Sequence, residues 1–389
     1  MIDALAATGT TFDHAWSNAT FTLPAHASLL TGLTPSRAGV MESSDKLGAG
    51  PPTLPEVLHA YGYTTVAWST VASATSFRKG DGLERGFDQF FEGGNPREQR
   101  AWYDALAGDG RPWFSVVHFK NAHHPYRVRR TGEDPRLVAW AFPPVGVTPP
   151  RDPDEVLAAQ VRADPTLAAA LGERYDDAIR ADDAEIGTLL QQLDARGMLD
   201  HAVVIVVGDH GESLGEDPAI GHQQLTPTVT AIPLVMSPPP GTSWPAHVTA
   251  DAGLADLFPT ILGLAGAKVP PGIDGVDLAP ALAGRADLER VVVAQALRRV
   301  GTPGGQPQRY AGLEAVIRWP WWLSHGTDSR TPTTLYRLDS GTPTVTNEPS
   351  ALRTLLDARA TLAPAGAVPT EARPVTDAER KAIQQAGYW

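Results

Sequence analysis

The stretch Val203-Val-Ile-Val-Val-Gly-Asp-His-Gly-Glu-Ser-Leu-Gly215 decides the fold. Its unbroken β-branched run suits a strand covered on both faces, as in a parallel sheet between layers of helices. Asp209 and His210 follow at once, and ligands of open α/β sheets gather at the carboxyl ends of strands. A carboxylate oxygen beside a neutral imidazole suits a divalent metal, with His210 weighing toward Mn or Zn and away from an all-oxygen Ca site. The same residues would also serve a strand-to-loop turn capped by Asp209.

Thr20-Phe-Thr-Leu-Pro-Ala-His-Ala-Ser-Leu-Leu-Thr-Gly32 is the second informative stretch. Pro24 belongs in a first helical turn, where its missing N–H costs nothing. Thr22 then lies beside the unpaired N–H groups and positive pole of a helix, a place that favours anions. Elsewhere strands alternate with helices: strands at 64–68, 113–119, 202–207 and 232–236, helices at 55–61, 173–196 and 254–264. That order predicts an α/β/α sandwich with a largely parallel central sheet. Residues 127–172, rich in Pro, Arg and Asp, are expected to be an excursion over the active face. Past residue 285 the pattern becomes antiparallel strands (291–295, 313–319, 334–338) and a helix near 350–360. Residues 1–285 are thus read as the main domain, 286–362 as a C-terminal α+β subdomain, and 363–389 as a linker and closing helix. Trp319, Trp321 and Trp322 are read as subdomain core.

Thr-x-Pro-x-His followed by Leu-Leu-Thr-Gly, together with Asp-His-Gly-Glu, resembles the sulfatase-like family of the alkaline phosphatase superfamily. Val117-His-Phe-Lys-Asn-Ala-His-His-Pro-Tyr126 resembles the family's His…Pro-His-x-Pro-Tyr loop, with Ala122 where Pro is usual. Ala219-Ile-Gly-His222 matches its Gly-His. The resemblance implies Thr22 as nucleophile, with His26 in the same signature. It implies Asp209, His210 and the Thr22 oxygen as ligands of one divalent ion (Mn, Zn or Ca). His118, His123 and His222 would face the ester and protonate the leaving group. Formylglycine, made from Cys or Ser in the family, is closed to Thr22.

Composition narrows the partners. A net charge of −12 and no basic patch argue against nucleic acid. The absence of cysteine excludes disulfides and thiolate metal sites. No window approaches 18 continuous apolar residues, so this chain offers no candidate membrane span. Met1–Phe12 resembles the helix that in the family follows a first strand ending in metal-binding acids. A mis-called start or a fragment of a longer protein is the preferred expectation, and a targeting segment would be lost with the missing region. A truncated, weakly active homologue is the alternative.

The expected function is metal-dependent hydrolysis of a small anionic sulfate, phosphate or phosphonate ester through a covalent Thr22 ester. Because such an ester must be opened at phosphorus or sulfur, phosphoryl or phosphonyl chemistry is preferred. A phosphoryl transferase and a catalytically impaired anion-binding homologue are the competing expectations.

Overall fold

A computed structural model describes residues 1–70, 77–108, 110–128, 130–143, 153–217, 220–285, 290–300, 309–326 and 331–362. The proposed linker and closing helix at 363–389 lie outside these residues. The Thr64–Ser69 strand shows how the layers arise. Its side chains alternate, so Ala67 faces one cluster while Val66 and Trp68 face another. On the first side are Leu23 and Leu30 of the Thr22–Thr31 helix, with Leu54, Leu58 and Phe258. On the second are Trp102 and Leu106 of the Pro96–Ala107 helix, with Leu189, Leu190 and Leu193 of the Pro165–Asp194 helix. A sheet sandwiched between helices is the predicted α/β/α arrangement.

The central sheet comes in two pieces. In one, Thr64–Ser69 pairs in parallel with both Gln89–Glu92 and Trp113–His118. In the other the order is Val204–Val207, Leu234–Ser237, Thr10–Phe12 and His247–Val248. There the first two pairings are antiparallel and the last parallel. Trp113–His118 and Val204–Val207 are therefore edge strands, each with one ladder partner among the described residues. Every residue of both is half-buried, whereas Thr64–Ser69 and Leu234–Ser237 are buried throughout. Val117 and Val204 nonetheless pack against the same apolar cluster on the Pro165–Asp194 helix. The two edges thus flank one helix, and each presents backbone groups without a ladder partner among the described residues.

The C-terminal sheet is a five-stranded antiparallel meander from Val292–Val300 to Thr344–Thr346. Ala315 and Ile317 turn toward Trp16 and Leu225 of the main body. Val316 turns the other way, under Leu355 of the Pro349–Ala360 helix. Gln295 fastens the sheet by accepting from Ser36 N–H at 3.0 Å.

The 127–172 segment is largely helical: Pro135–Ala141, Pro153–Ala163 and the beginning of the long helix all fall in it. Two expectations need correction. The long helix starts at Pro165, not at residue 173, because Asp164 caps it and Gly172 does not interrupt it. The tryptophans also divide. Trp322 is buried and donates to Thr230 Oγ1 at 3.0 Å. Trp319, by contrast, is exposed and stacks on His14. Trp321 opens an unpredicted strand, Trp321–Gly326, with Arg337 over its ring.

The open edges make a direct prediction. In hydrogen-exchange mass spectrometry, peptides spanning 113–118 and 204–207 should exchange faster than those spanning 64–69 and 234–237. Equal protection of the four strands would mean that the edges are covered.

Candidate active site

The nucleophile candidate is placed by local rules. Phe21 holds an extended conformation as N-cap, so Thr22 is the first helical residue and Pro24 sits in the first turn. The helix ends at Gly32, whose φ of 68° is left-handed and where a Cβ would come within 2.9 Å of Phe258. Thr22 is buried, with its Oγ1 3.4 Å from His210 Nε2.

Asp209 and His210 reach the same point from the end of Val204–Val207. Ser17 Oγ donates to the Asp209 carbonyl, tying this loop to the segment that leads into the nucleophile helix. His210 Nδ1–H donates to Gly211 O at 3.0 Å, which leaves the lone pair on Nε2. That nitrogen is 3.6 Å from Asp209 Oδ2. Asp209 Oδ2 is shut off from solvent and has no hydrogen-bond partner among the described residues. Tetrahedral ligands at about 2.1 Å from an ion lie roughly 3.4 Å apart. An orphaned carboxylate oxygen, an imidazole lone pair and a hydroxyl at these spacings fit a divalent metal. Burial alone would raise Asp209, yet His210, His26 and His118 around it hold its carboxyl below the usual range.

His26 belongs to the nucleophile helix. Its Nδ1–H donates to Thr22 O at 2.9 Å, and its ring stacks on Phe77 and meets His118 edge-on. Its position supports the nucleophile turn, and burial lowers its pKa. His118 ends the Trp113–His118 strand, and burial pushes it down to about 3. The same cause brings Lys120 to about 8.

The loop after His118 is held by a residue to which sequence reading gave no role. Asp182 accepts from Asn121 N–H, Asn121 Nδ2 and Ala122 N–H at 3.1, 2.9 and 2.9 Å. Beyond the loop, Tyr126 adopts φ 48°, costly for a bulky residue. It is fully buried, and its hydroxyl donates to Glu212 Oε2 at 2.8 Å. The other Glu212 oxygen accepts from His222 Nδ1–H at 2.7 Å and lies 3.8 Å from His124 Nδ1. Burial works against its ionisation, but His222 and His124 draw Glu212 well below the usual range. Burial and His210 lower His222 to about 4, and burial lowers His123 strongly. His124 is raised: burial opposes its charge, but Glu212 prevails.

The structure therefore brings together all seven predicted residues: Thr22, His26, His118, His123, Asp209, His210 and His222. Glu212, His124, Tyr126 and Asp182 were missed as site-builders. The first three stood inside quoted motifs, and their signal was the crowding of titratable groups in two short loops. Among the arginines near the site, Arg37 pairs with Asp274, and Arg130 with Glu173 and Asp177.

The sheet between helical layers, with its site at the strand ends, defines an alkaline phosphatase-like α/β sandwich with a small C-terminal sheet. Residues 1–267 match the family described as Sulfatase, and the chain belongs to it. An ulvan-active sulfatase of Formosa agariphila is 26% identical over 300 residues, spanning 71% of this chain and 58% of its own length. N-acetylgalactosamine-6-sulfatase of Mus musculus is 28% identical over 333 residues, 72% of this chain and 61% of the relative. The chain thus spans 58–61% of the length of these curated relatives. Among solved structures, the phosphonate monoester hydrolase of Agrobacterium radiobacter superposes with a TM-score of 0.67 at 19% identity, covering 96% of this chain and 94% of that one. That of Silicibacter pomeroyi gives 0.66 at 18%, covering 92% and 88%. These likenesses establish the fold.

Tyr126→Phe leaves one oxygen of a buried carboxylate without its donor. It should lower unfolding free energy in urea by about 1–3 kcal/mol. An unchanged midpoint and slope would show that Glu212 does not depend on this hydroxyl.

Proposed function

We propose that this chain carries the catalytic centre of a metal-dependent hydrolase of sulfate, phosphate or phosphonate esters, with Thr22 as covalent nucleophile. One observation carries the reading. The Thr22 hydroxyl sits at a helix N-terminus, 3.4 Å from the lone-pair nitrogen of His210, beside the orphaned Asp209 oxygen. Asp209, His210 and Thr22 would hold the ion, which supplies Lewis acidity toward the Thr22 hydroxyl and offsets the charge of an anionic ester. Thr22 Oγ1 attacks phosphorus or sulfur, the bond to the alcohol oxygen breaks, and the group rests on Thr22 as an ester. Water then attacks the same atom and releases Thr22 with the free sulfate, phosphate or phosphonate.

The proton inventory refines the expected roles. His118, His123 and His222 are all shifted down by burial, so they are neutral near pH 7. Lys120, at about 8, keeps its proton, would supply it to the departing alkoxide and would recover one from the incoming water. His118, whose Nδ1 has no hydrogen-bond partner among the described residues, would orient that water by accepting its hydrogen bond.

Two features support a further part of this reading. Three ligand atoms are a thin set for tight binding, and the edges of Trp113–His118 and Val204–Val207, which pack on one helix, leave room in the hydrogen-bonding scheme for one more strand. Their carboxyl ends carry His118 and Asp209, so acids at the end of an inserted strand would join the same ligand set. The relatives' greater length is in keeping with this. The edges also favour the second reading, an anion-binding chain of impaired activity when expressed in this form.

Thr22→Ala should reduce turnover of a phosphodiester, phosphonate and sulfate ester panel by about 10³-fold or more, and, because it removes one of three ligand atoms, should also weaken metal binding. Activity equal to the parent would remove the nucleophile assignment. A form extended upstream in the source DNA should bind metal more tightly than this chain. Equal affinities would leave the thin ligand set as the complete one. In the pH profile of kcat/KM, activity requiring protonated Lys120 is present below its pKa and lost as pH rises through about 8. Lys120→Met should abolish that alkaline limb, and a limb unmoved by the substitution would assign the proton to another group.

A further inference from the structure

We infer that Gln295, on the first strand of the C-terminal sheet, is a positioning residue for Thr22, tying the segment that enters the nucleophile helix to the segment that leaves it. The inference rests on Thr22 as the nucleophile, as proposed above. The strand Val292–Val300 stands at one end of its meander, and its outer edge receives the approach to Thr22. Gln295 N–H donates to Asn18 O at 2.8 Å, and Asn18 Nδ2 donates to Val293 O at 2.7 Å. Ala19, just ahead of the helix, bridges Gln295 in parallel. The Gln295 side chain then reaches the other end. Its Oε1 accepts from Ser36 N–H at 3.0 Å, on the Pro35–Ala38 turn that follows the Thr22–Thr31 helix.

A buried carboxylate sets which way this amide points. Glu314, opposite Gln295 on the next strand, accepts from Gln295 Nε2 at 2.8 Å. Reversing the amide would set its oxygen against the carboxylate and its NH₂ against the Ser36 N–H, so both contacts would turn repulsive. Glu314 is itself fixed by Arg359 of the Pro349–Ala360 helix, through Nε at 2.6 Å and Nη2 at 3.0 Å. Burial works against its charge, but His325, Arg359 and Gln295 around it bring its carboxyl down to about 2. Gln295 and Glu314 are both buried, where a hydrogen bond left unmade costs more than one made contributes.

The tie acts on a distance. Thr22 Oγ1 sits 3.4 Å from His210 Nε2, and His210 belongs to a different element. Ser17, beside Asn18, donates to the Asp209 carbonyl, so the entry segment is already referenced to the loop that faces the nucleophile. The helix that follows is buried along almost its whole length, and a close-packed element transmits a shift at its exit to Thr22 at its start. Misplacement by about 1 Å at a reacting atom costs on the order of 10²-fold in rate. A glutamine bonded to both ends of the helix, and oriented by a carboxylate outside it, holds that misplacement down.

Kinetics of the whole chain on the phosphodiester, phosphonate and sulfate ester panel, corrected for folded fraction, test this. Gln295→Glu sets two carboxylates face to face and should lower kcat about 10–100-fold, with KM within about twofold of the parent. Adding Glu314→Gln restores a donor and an acceptor between the two positions, and kcat should return to within about threefold. A merely structural role would move the urea midpoint and leave kcat per folded molecule unchanged; that result, or a second substitution that rescues nothing, overturns the inference. Gln295→Met, similar in shape and without the amide, replaces Gln295→Glu if that variant does not fold. Independently of activity, Gln295→Met should speed amide exchange in peptides spanning 19–31 by about tenfold and leave 64–69 unchanged; equal exchange at 19–31 sinks the tie. The nucleophile reading fails separately. Activity surviving Thr22→Ala removes it and leaves the exchange result standing, whereas full kcat in Gln295→Glu with Thr22→Ala inactive removes only the positioning role.

Discussion

Everything in this site turns on two carboxylates, Glu212 buried and Asp209 half-buried, that their histidine neighbours hold ionised. Glu212 is nearly closed off from solvent, and a charge there is untenable without donors. His222 and Tyr126 provide them, and each is positioned at some cost elsewhere. Tyr126 accepts a left-handed backbone to bring its hydroxyl to Glu212, while Gly221 gives up a side chain so that His124 and His222 can approach. Asp209 is the complementary case. Its Oδ1 accepts from His210 N–H at 3.0 Å while Oδ2 is left with lone pairs facing imidazoles. One carboxylate is fully satisfied by protein and orients a ring. The other is half-satisfied and asks for a cation.

The sheet explains why these groups converge. Trp113–His118 and Val204–Val207 belong to different pieces, yet both end at the site, and both lean on the Pro165–Asp194 helix. That helix also carries Asp182, which pins the histidine loop through three N–H groups. A single long helix therefore sets the spacing between the His118 side and the Asp209 side. Because it bridges the unpaired edges, the site is assembled even where the ladder is interrupted.

Much of this was legible in the sequence, for physical reasons that differ by residue. Val203–Val207 could be read because β-branching and continuous apolarity leave few alternatives to a buried strand. Thr22 could be read because Pro24 fixes the start of the helix. Asp209 and His210 could be read because they follow the carboxyl end of a strand, whereas His222 was legible only through the likeness of Gly221-His222 to the family's Gly-His. Glu212 was harder, since a carboxylate two residues past His210 looks like an exposed loop acid until Tyr126 is seen above it. The start of the Pro165–Asp194 helix was hidden by Gly172, which is destabilising in a helix but tolerable where neighbouring turns bury Leu167 and Leu171. The strand at Trp321–Gly326 escaped because its tryptophans face different environments, so no clean alternation survives in the sequence. The division of the sheet was invisible locally, because pairing is a property of two strands and each strand alone looked central.

Thr22 ties the chemistry to this architecture. A threonine hydroxyl is a weak nucleophile at its ordinary pKa, so it depends on the helix N-terminus and an adjacent cation. The first support belongs to its own helix; the second comes from outside it, on the Asp209 loop that follows Val204–Val207 and is anchored by Ser17. A strand paired with the edge of Val204–Val207 would bring new side chains next to the proposed ligand set. Under the proposed chemistry, pairing at this edge, affinity for the ion and reactivity at Thr22 would then change together.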